Sequence, residues 1–364
     1  MKNNLGSILD QDYPQQFFPR SLYTNPDLLS LEIERIFQKT WLYVGDTDRL
    51  FNENNILVTE VINISILLVK TQENLIKAYY NLCPHRASLL CSESGQYSLN
   101  QFVCPYHAWV YNLEGNLIGT PAKDRFPETF SLEDYPLKSI RCEQWEKFIF
   151  VCFDEAAPSL NEFLGDIPTT IQGYHLPETK QLFQQNYKVN CNWKVYHDNT
   201  LCDYHVPIVH KNTLNKIQGS VRYYQHQFNQ YVNLLYTPTT EQWRKDNPVL
   251  DTIVSEKARY GFFTYGIFPN LHFLALPNGV LAWIRIDPLT VNTCEVNLEI
   301  YGLPHFSPTG ETLKEEFETF MKEDMVVTEM VQKGYESGGY EAGIANQLED
   351  RILHQQNLIR EFLR

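Results

Sequence analysis

Two short runs, Cys83-Pro84-His85-Arg86 and Cys104-Pro105-Tyr106-His107, decide how this chain is interpreted. Each run supplies one cysteine and one histidine, so that a thiolate and an imidazole come from the same loop. The first pair is spaced C-x-H, 18 residues follow, and the second pair is spaced C-x-x-H. Four such ligands at this spacing predict a metal site built from two loops.

The mixed composition of the two runs favours one kind of metal site over another. In a Rieske-type [2Fe–2S] centre two cysteines hold one iron and two histidines hold the other, and the imidazoles raise the reduction potential above that of an all-cysteine cluster. The alternative is a zinc site, but zinc fingers usually place both cysteines in one run and both histidines in another. We therefore predict an iron–sulfur cluster, with four ligands: Cys83, His85, Cys104 and His107.

Composition and charge exclude several classes of protein. A chain of 364 residues exceeds the usual size of a single hydrophobic core, and its 43% hydrophobic residues are ample for packed interiors. A net charge of −14 argues against nucleic-acid binding, which requires a basic surface. The N-terminal stretch MKNNLGSILDQDYPQQFF has no cationic start followed by an apolar run, and no apolar run is long enough to span a membrane. These features predict a cytoplasmic protein.

The texture of the sequence changes twice along the chain. An N-terminal segment, 1–40, contains a short helix and is expected to pack with the last domain. Short β-branched and aromatic runs separated by turns indicate a small all-β domain over 41–155, with both Cys–His pairs in its loops. Longer mixed elements follow over 156–364, where we predict helices at 192–205 and 311–334 and strands at 260–268, 271–276, 279–287 and 293–301.

A second group of candidate ligands lies within the segment 192–210. His205 and His210 are five residues apart, which on a regular helix is an angle of about 140°, so the two rings would not point together. Pro207 lies between them, and a proline ends or kinks a helix. We therefore expect the helix to be broken here, which allows both imidazoles to reach one metal.

A third ligand is predicted on the helix at 311–334. Asp324 falls on the same helical stripe as five apolar residues, Leu313, Phe317, Phe320, Val327 and Val331. A carboxylate on a buried face is costly unless it is paired or bound to a metal. The alternative is an ion pair with a buried arginine or lysine. Two histidines and one carboxylate form the facial triad that holds non-heme Fe(II).

The two groups, in this order, resemble the catalytic α subunits of the Rieske non-heme iron oxygenases. The resemblance covers nearly the whole chain: CPHR and CPYHAW in the first half, NWK, DN and YHVPIVH in the second, and Glu323-Asp324 near the end. It implies that Cys83, His85, Cys104 and His107 bind the cluster and that His205, His210 and Asp324 bind the iron. It also implies an α+β fold, with a small all-β Rieske domain beside a helix-capped antiparallel sheet, and assembly as a homotrimer.

The chain departs from the family pattern at Cys202. Family members normally have a carboxylate there, three residues before the first iron-binding histidine, and it bridges to the cluster of a neighbouring subunit. On a regular helix Asp203 points about 200° away from His205, whereas Asp198 lies within about 20°. Three possibilities follow: a local distortion aims Asp203 at the partner cluster, water links Asp198 to the path, or electron transfer between the centres is slow.

The resemblance also implies the activity. Such a protein uses O2 and two electrons to hydroxylate or oxidatively dealkylate a small organic substrate, and its form is most like the choline and carnitine monooxygenases. The alternatives are an aromatic-ring dihydroxylating dioxygenase and a catalytically silent iron–sulfur or regulatory subunit. The sequence has no dinucleotide-binding fingerprint, so electrons from NAD(P)H are expected through a separate reductase, with or without a ferredoxin.

The polar neighbours of the iron and the substrate pocket are less well defined by the sequence. Asn199 and Asn192 are either polar neighbours of the iron or helix-capping residues. The pocket is expected to draw on the strands between 260 and 301. Its candidate residues are Tyr265, Phe268, Asn270, His272 and Trp283.

Overall fold

A computed structural model describes residues 15–51 and 53–364. These residues form two compact units, one of Gln38–Leu160 and the other of the 15–37 segment together with Asn161–Arg364. From the roles that the sequence predicts, we call them the cluster unit and the catalytic unit. The predicted domain limits at 40/41 and 155/156 stay a prediction, and most of the N-terminal stretch used to exclude an export signal lies outside the described residues.

The secondary structure follows the chain in this order. The helices are α1 (Ser21–Thr24), α2 (Asp27–Arg35), α3 (Thr47–Leu50), α4 (Leu160–Leu164), α5 (Ile167–Thr170), α6 (Trp193–Leu201), α7 (Val206–Val209), α8 (Leu214–Ile217), α9 (Glu241–Asp246), α10 (Glu256–Tyr260), α11 (Gly310–Glu336) and α12 (Asp350–Leu363). The strands are β1 (Leu42–Asp46), β2 (Ile56–Val61), β3 (Ile64–Lys70), β4 (Ile76–Tyr80), β5 (Gly95–Tyr97), β6 (Phe102–Val103), β7 (Val110–Tyr111), β8 (Leu117–Gly119), β9 (Ser139–Trp145), β10 (Phe148–Cys152), β11 (Lys180–Val189), β12 (Gln225–Phe228), β13 (Val232–Pro238), β14 (Gly261–Ile267), β15 (Leu271–Ala275), β16 (Leu281–Thr290) and β17 (Thr293–Gly302). Short 3₁₀ turns lie at Phe37–Lys39, Lys123–Arg125, Leu132–Asp134, Leu176–Glu178, Val221–Tyr223 and Gln347–Glu349.

The cluster unit is built from antiparallel sheets, as the short β-branched runs predict. One sheet has the strand order β1-β10-β9-β4-β3-β2-β5, and a smaller one has the order β6-β7-β8. Their shared core includes Ile56, Leu67 and Tyr111, each fully buried. The two Cys–His loops follow β4 and β6, and the cysteine of each loop, Cys83 and Cys104, is part of this core.

The catalytic unit is organised on one antiparallel sheet of order β11-β17-β16-β15-β14-β13-β12. Helix α6 lies close against one face of it. A Cβ atom added to Gly266 would lie 2.4 Å from Leu201 Cδ2 and 2.6 Å from Asn233 Oδ1, so only glycine allows this approach. The strands predicted between 260 and 301 are confirmed, and so is the α+β class.

The helix predicted over 192–205 is shorter than expected. Helix α6 ends at Leu201, and Cys202 takes an extended backbone conformation with φ −83° and ψ 120°. The backbone N–H of Asp203 donates to Leu348 O at 3.2 Å instead of continuing the helical ladder. The chain becomes helical again only in α7, so the break precedes Pro207 by several residues. Angles derived from a regular helix therefore do not apply to Asp203.

The buried stripe of α11 also differs in part from the prediction. Leu313, Phe317 and Phe320 are buried and Asp324 lies on the same face, as expected. Beyond Asp324 the stripe continues through Thr328 and Gln332, whereas Val331 is 39% exposed. The polar side chains are buried because they are hydrogen-bonded: Gln332 Oε1 accepts from Asn192 N at 3.0 Å, and Thr328 Oγ1 donates to Asp324 O at 2.8 Å.

Candidate metal centres

The two Cys–His loops of the cluster unit fold in the same way. In each loop the cysteine carbonyl accepts a hydrogen bond from an alanine four residues later, Cys83 from Ala87 and Cys104 from Ala108, both at 2.9 Å. Both alanines have positive φ, 56° and 54°. The backbone of each tight turn thus takes a left-handed conformation at a small residue, an alanine, just after the histidine.

The four side chains form a compact donor set. Cys83 and Cys104 are 1% and 2% exposed, and the rings of His85 and His107 lie 4.7 Å apart between centroids. Among the described residues, Nδ1 of each of these histidines is buried without a hydrogen-bond partner. Buried nitrogens without partners are costly unless a metal takes their lone pairs. Two thiols and two open Nδ1 atoms fit a Rieske-type cluster.

The surroundings of the thiols bear on their ionisation. Burial raises the pKa of Cys83, although its hydrogen bond with Tyr111 Oη, at 3.1 Å, opposes this effect. For Cys104, burial also works against ionisation, but the hydrogen bonds from Tyr106 N–H and His107 N–H, together with those of the Cys83 and Ser88 side chains, lower the pKa. The Tyr111 hydroxyl is well placed to donate to a cluster-bound sulfur, an interaction that tunes the potential of iron–sulfur centres.

The catalytic unit brings His205, His210 and Asp324 together. Their candidate ligand atoms all lie within 4.8 Å of one another, and no other such group is found in the described part of the chain. His210 Nε2 is 2.9 Å and His205 Nε2 is 3.4 Å from Asp324 Oδ1, and the two Nε2 atoms are 3.1 Å apart. Three donors converging from a helix break and a buried helix face fit a facial triad with open positions.

Polar side chains form hydrogen bonds with two of these three predicted ligands, His210 and Asp324. Glu323 Oε2 lies 2.7 Å from His210 Nδ1 and accepts from Thr213 Oγ1 at 2.6 Å. Asn199 Nδ2 donates to Asp324 Oδ1 at 2.7 Å. Contacts of this kind fix the orientation and tautomer of metal ligands. Asn199 therefore contacts a predicted iron ligand, and its role as a polar neighbour of the iron stays a prediction.

The charges of the triad depend on each other. Burial alone would raise the pKa of Asp324, but hydrogen bonds from His205 and His210 lower it. Burial alone would lower the pKa of His205, but its contacts with Asp324 and with the Cys202 thiol raise it to about 9. The three side chains together therefore favour positive charge beside the carboxylate. A metal cation supplies that positive charge when it displaces the protons of the histidines.

Asn192, the other asparagine considered, is a capping residue. Its side chain accepts from Lys194 N at 2.9 Å and so caps the first turn of α6. Its amide nitrogen donates to Tyr23 O at 3.0 Å and to Val291 O at 2.7 Å. These bonds fix where α6 begins, and they use the side chain fully.

Asp203 lies in the interior and not at an accessible edge. It is 3% exposed, and its carboxylate is bonded to Arg351 Nη1 at 3.3 Å and to His226 Nε2 at 2.8 Å. Arg351 is fully buried and also donates to Asn233 Oδ1 at 2.8 Å. These contacts speak against the expectation that Asp203 bridges to a partner cluster, because its carboxylate is already part of a buried ion pair.

Asp198 is hydrogen-bonded through one oxygen, Oδ2, whereas its buried Oδ1 has no partner among the described residues. Its Oδ2 accepts from Tyr23 Oη at 2.6 Å and from Gln356 Nε2 at 3.0 Å. Burial raises the pKa of Asp198 to about 7, although these two hydrogen bonds oppose the shift. Asp198 therefore ties the N-terminal segment and α12 to α6, as a carboxyl group that holds its proton near neutral pH.

The raised pKa of Asp198 predicts a pH-dependent stability. Between pH of about 4 and about 7 the folded protein binds a proton that the unfolded chain releases, so stability falls as the pH rises. The Asp198→Asn variant has no carboxyl group at this position and therefore lacks this pH dependence of stability. As the pH rises through that window, the free energy of unfolding of the variant should increase relative to that of wild type by up to roughly 1.4 kcal/mol per pH unit. Denaturant midpoints at pH 5 to 8 test this, with the exposed Asp124→Asn as control. A difference between variant and wild type that does not change with pH would contradict the prediction.

The five candidate pocket residues are dispersed by the structure. Tyr265 and Trp283 lie on one face of the sheet, where both stack on Phe273. His272 pairs with Gly266 and so lies on the opposite face, towards α6. Asn270 donates to Ile286 O at 3.0 Å, and Phe268 packs against Phe362, 5.1 Å between ring centroids. Residue type alone did not distinguish these positions.

Several residues of the site were not assigned a role from the sequence. Glu323 is adjacent to Asp324 in the quoted motif, and a carboxylate directly beside a metal ligand is a signal that could have been used. Thr213 and Arg351 give no local signal, because Arg351 reaches Asp203 from 148 positions away. Such contacts follow only from the tertiary fold.

Comparison with known proteins identifies the two units. Residues 40–139 match the family model of the Rieske [2Fe-2S] domain, and residues 177–364 match that of the ring hydroxylating alpha subunit (catalytic domain). The two together define an oxidoreductase class, the Rieske-type oxygenases, with a [2Fe–2S] cluster and a mononuclear iron. The chain belongs to the family of ring-hydroxylating alpha subunits within that class.

Relatives of known activity match over most of the chain. The carnitine monooxygenase oxygenase subunit of Escherichia coli (strain K12) is 28% identical over 333 residues, which cover 88% of this chain and 85% of the relative. The chloroplastic choline monooxygenase of Arabidopsis thaliana is 27% identical over 364 residues, which cover 95% and 82%.

Solved structures show the same fold. The quaternary ammonium Rieske monooxygenase CntA in complex with L-carnitine is 25% identical with a TM-score of 0.78, covering 96% of both chains. Naphthalene 1,2-dioxygenase from Rhodococcus sp. is 19% identical with a TM-score of 0.77, covering 100% of this chain and 98% of that one, and so shares the fold. In the described part of this chain no helix is long and apolar enough to cross a membrane.

Proposed function

We propose that this chain is the oxygenase component of a Rieske monooxygenase that hydroxylates or oxidatively dealkylates a small substrate with a quaternary ammonium group. The observation that supports this most is the match to carnitine and choline monooxygenases over 85% and 82% of their lengths, combined with a converging His–His–Asp set. The related CntA is solved with two such ligands, L-carnitine and gamma-butyrobetaine. The aromatic-ring dioxygenases share the fold at lower identity.

In this proposal the two donor sets have separate roles. Cys83, His85, Cys104 and His107 hold the cluster, and His205, His210 and Asp324 hold the iron. When bound, the cluster supplies single electrons and the iron activates O2 for insertion into a C–H bond. The chain itself positions these groups: Glu323 orients His210, Asn199 orients Asp324, and the buried helix face excludes water behind the carboxylate.

The proposal also includes the electron supply and the assembly. Electrons from NAD(P)H reach the cluster through a separate reductase, with or without a ferredoxin. Three copies form a homotrimer in which the cluster of one copy serves the iron of its neighbour; the study of CntA concerns inter-subunit electron transfer. Exposed apolar side chains lie next to each centre, Tyr106 at the cluster loop and Ile208 beside His205, 53% and 75% exposed. Such surfaces suit contact between copies.

Oxygen uptake with product mass tests the proposed activity. The protein is mixed with NADH and a reductase that serves Rieske oxygenases, and L-carnitine, choline or gamma-butyrobetaine is added as substrate. Each substrate has a matched analogue in which a tert-butyl group replaces the trimethylammonium group. We expect substrate-dependent O2 uptake with a charged compound, a gain of one oxygen or loss of an alkyl fragment as an aldehyde, and little uptake with its uncharged analogue. Naphthalene serves as the aromatic comparison.

Two outcomes would overturn the proposal. A gain of two oxygen atoms on naphthalene would indicate an aromatic-ring dioxygenase instead. A normal cluster spectrum without substrate-dependent O2 uptake across the series would indicate a silent iron–sulfur subunit.

A further inference from the structure

The two histidines of the iron site are held in different ways. The ring of His210 is fixed directly, because Glu323 Oε2 lies 2.7 Å from its Nδ1. In the described part of the chain no nitrogen or oxygen atom accepts a hydrogen bond from the buried Nδ1 of His205. The position of His205 therefore depends on the backbone that carries this residue, and on the contacts that fix that backbone.

The backbone that leads to His205, segment 202–205, lies in neither a helix nor a strand. Within this segment Tyr204 is 54% exposed, whereas Asp203 is 3% exposed. The Asp203 N–H donates to Leu348 O at 3.2 Å, so the backbone of this residue is attached to the turn that precedes α12. Asp203 is thus the buried anchor of the segment, two residues before the predicted iron ligand.

The side chain of Asp203 is held by donors from two distant elements. His226, on β12, has its Nε2 2.8 Å from Asp203 Oδ2, and the ring donates because an ionised carboxylate only accepts. Arg351, on α12, donates from Nη1 to Asp203 Oδ1 at 3.3 Å. Of these two donors the histidine is the closer. Removing its ring leaves a buried carboxylate oxygen without this donor, which is costly and favours reorientation of the side chain.

We propose that His226 is a positioning residue for the predicted iron ligand His205, acting through Asp203. The His226 ring fixes the carboxylate of Asp203, and Asp203 fixes the backbone from which the ligand projects. Supporting groups of this kind keep a metal ligand in the geometry that the metal requires. Arg351 shares the contact, but it also donates to two further groups and supports the fold more widely. The inference deepens the proposed function and rests on it for the identity of the metal.

Iron retention tests the proposal without any turnover. The reduced holoprotein is mixed anaerobically with a chromogenic Fe(II) chelator, and release of the mononuclear iron is followed while the visible spectrum reports the cluster. We expect His226→Leu to accelerate iron release several-fold, up to about 10-fold, and to leave the cluster spectrum unchanged. Glu323→Gln breaks a direct contact with a ligand and should reach the range of about 10- to 100-fold. His226→Gln keeps an N–H donor at a similar reach and should release iron at close to the wild-type rate.

His354 provides the matched control. Its Nε2 lies 2.8 Å from Asn229 O, the same distance as in the contact between His226 and Asp203. Both rings pack against Phe228, with centroids 5.3 Å away for His354 and 6.0 Å away for His226. His354→Leu therefore removes a ring and a hydrogen bond in the same neighbourhood without touching the carboxylate. It should release iron at the wild-type rate, although the denaturant midpoints of both leucine variants should fall.

An Asp203→Asn background tests whether the effect passes through the carboxylate. Asp203→Asn should itself accelerate iron release, because the charge that His226 binds is absent. Adding His226→Leu in this background should accelerate release no further. If Asp203→Asn yields too little folded protein, the comparison of His226→Leu, His226→Gln and His354→Leu still tests the proposal.

Three results would overturn the proposal. The first is iron release from His226→Leu at the wild-type rate. The second is an equal acceleration in His354→Leu, which would show a general loosening around Phe228. The third is release from His226→Gln as fast as from His226→Leu, which would show that the packing of the ring matters and not its hydrogen bond. Because no substrate or reductase is present, these results are independent of whether the proposed activity is found. Wild-type protein without mononuclear iron would instead contradict the proposed function itself.

Discussion

Replacing Asp324 by alanine should reduce substrate oxidation to the background level while leaving the visible spectrum of the cluster intact. The carboxylate is 6% exposed and contacts both His205 and His210, so its removal leaves two histidines without the anionic member of the set. The cluster ligands belong to the other compact unit and should be unaffected. O2 uptake, iron content and the visible spectrum measured on the same sample check this.

The matched variant is Cys104→Ser, which should lose the cluster and keep the mononuclear site. Each variant alone should be inactive. If electrons cross between copies, co-expression of the two variants should restore part of the activity, because a mixed trimer contains a pair of centres that are both intact. Substantial activity in Asp324→Ala alone would contradict the assignment of this residue as an iron ligand.

Replacing Arg351 by methionine should be strongly destabilising. Arg351 is fully buried and pairs with Asp203, itself 3% exposed, while it also donates to Asn233 and to Thr264 O. Breaking a buried ion pair from one side leaves an uncompensated charge and costs about 3–5 kcal/mol. The free energy of unfolding from denaturant titration measures this. The exposed Arg125→Met should change stability by less than about 0.5 kcal/mol.

A second substitution distinguishes the charge from the packing. Adding Asp203→Asn to Arg351→Met removes the uncompensated carboxylate and should recover part of the lost stability. If the double variant were less stable than Arg351→Met alone, Asp203 would be stabilised by His226 alone and the ion pair would not be the cause.

What the sequence predicted well was local in origin. The two Cys–His loops each fold within a few residues. Pro207 led to the prediction of a broken helix, although the break itself lies at Cys202 and Pro207 lies in the first turn of α7. Asp324 was found because a carboxylate on an apolar helical stripe needs a partner. These signals depend on spacing and on the chemistry of single residues, and they located both donor sets.

What it predicted less well depends on distant contacts. Helix α6 ends at Leu201 because Asp203 N donates to Leu348 O, a residue far along the chain. The buried face of α11 continues through Thr328 and Gln332 because their side chains find partners in the fold. Strand β11 was not predicted, since an edge strand of sequence KQLFQQNYKV has few of the apolar residues that mark a strand.

The central claim is that the chain holds two separate iron centres, and metal analysis tests it most directly. Wild-type protein purified without oxygen should contain about three iron atoms and about two acid-labile sulfide ions per chain. Asp324→Ala should lose about one iron and no sulfide, and Cys104→Ser should lose the sulfide with about two irons. Wild-type protein without labile sulfide, or with zinc in place of iron at the four cysteine and histidine ligands, would contradict the account.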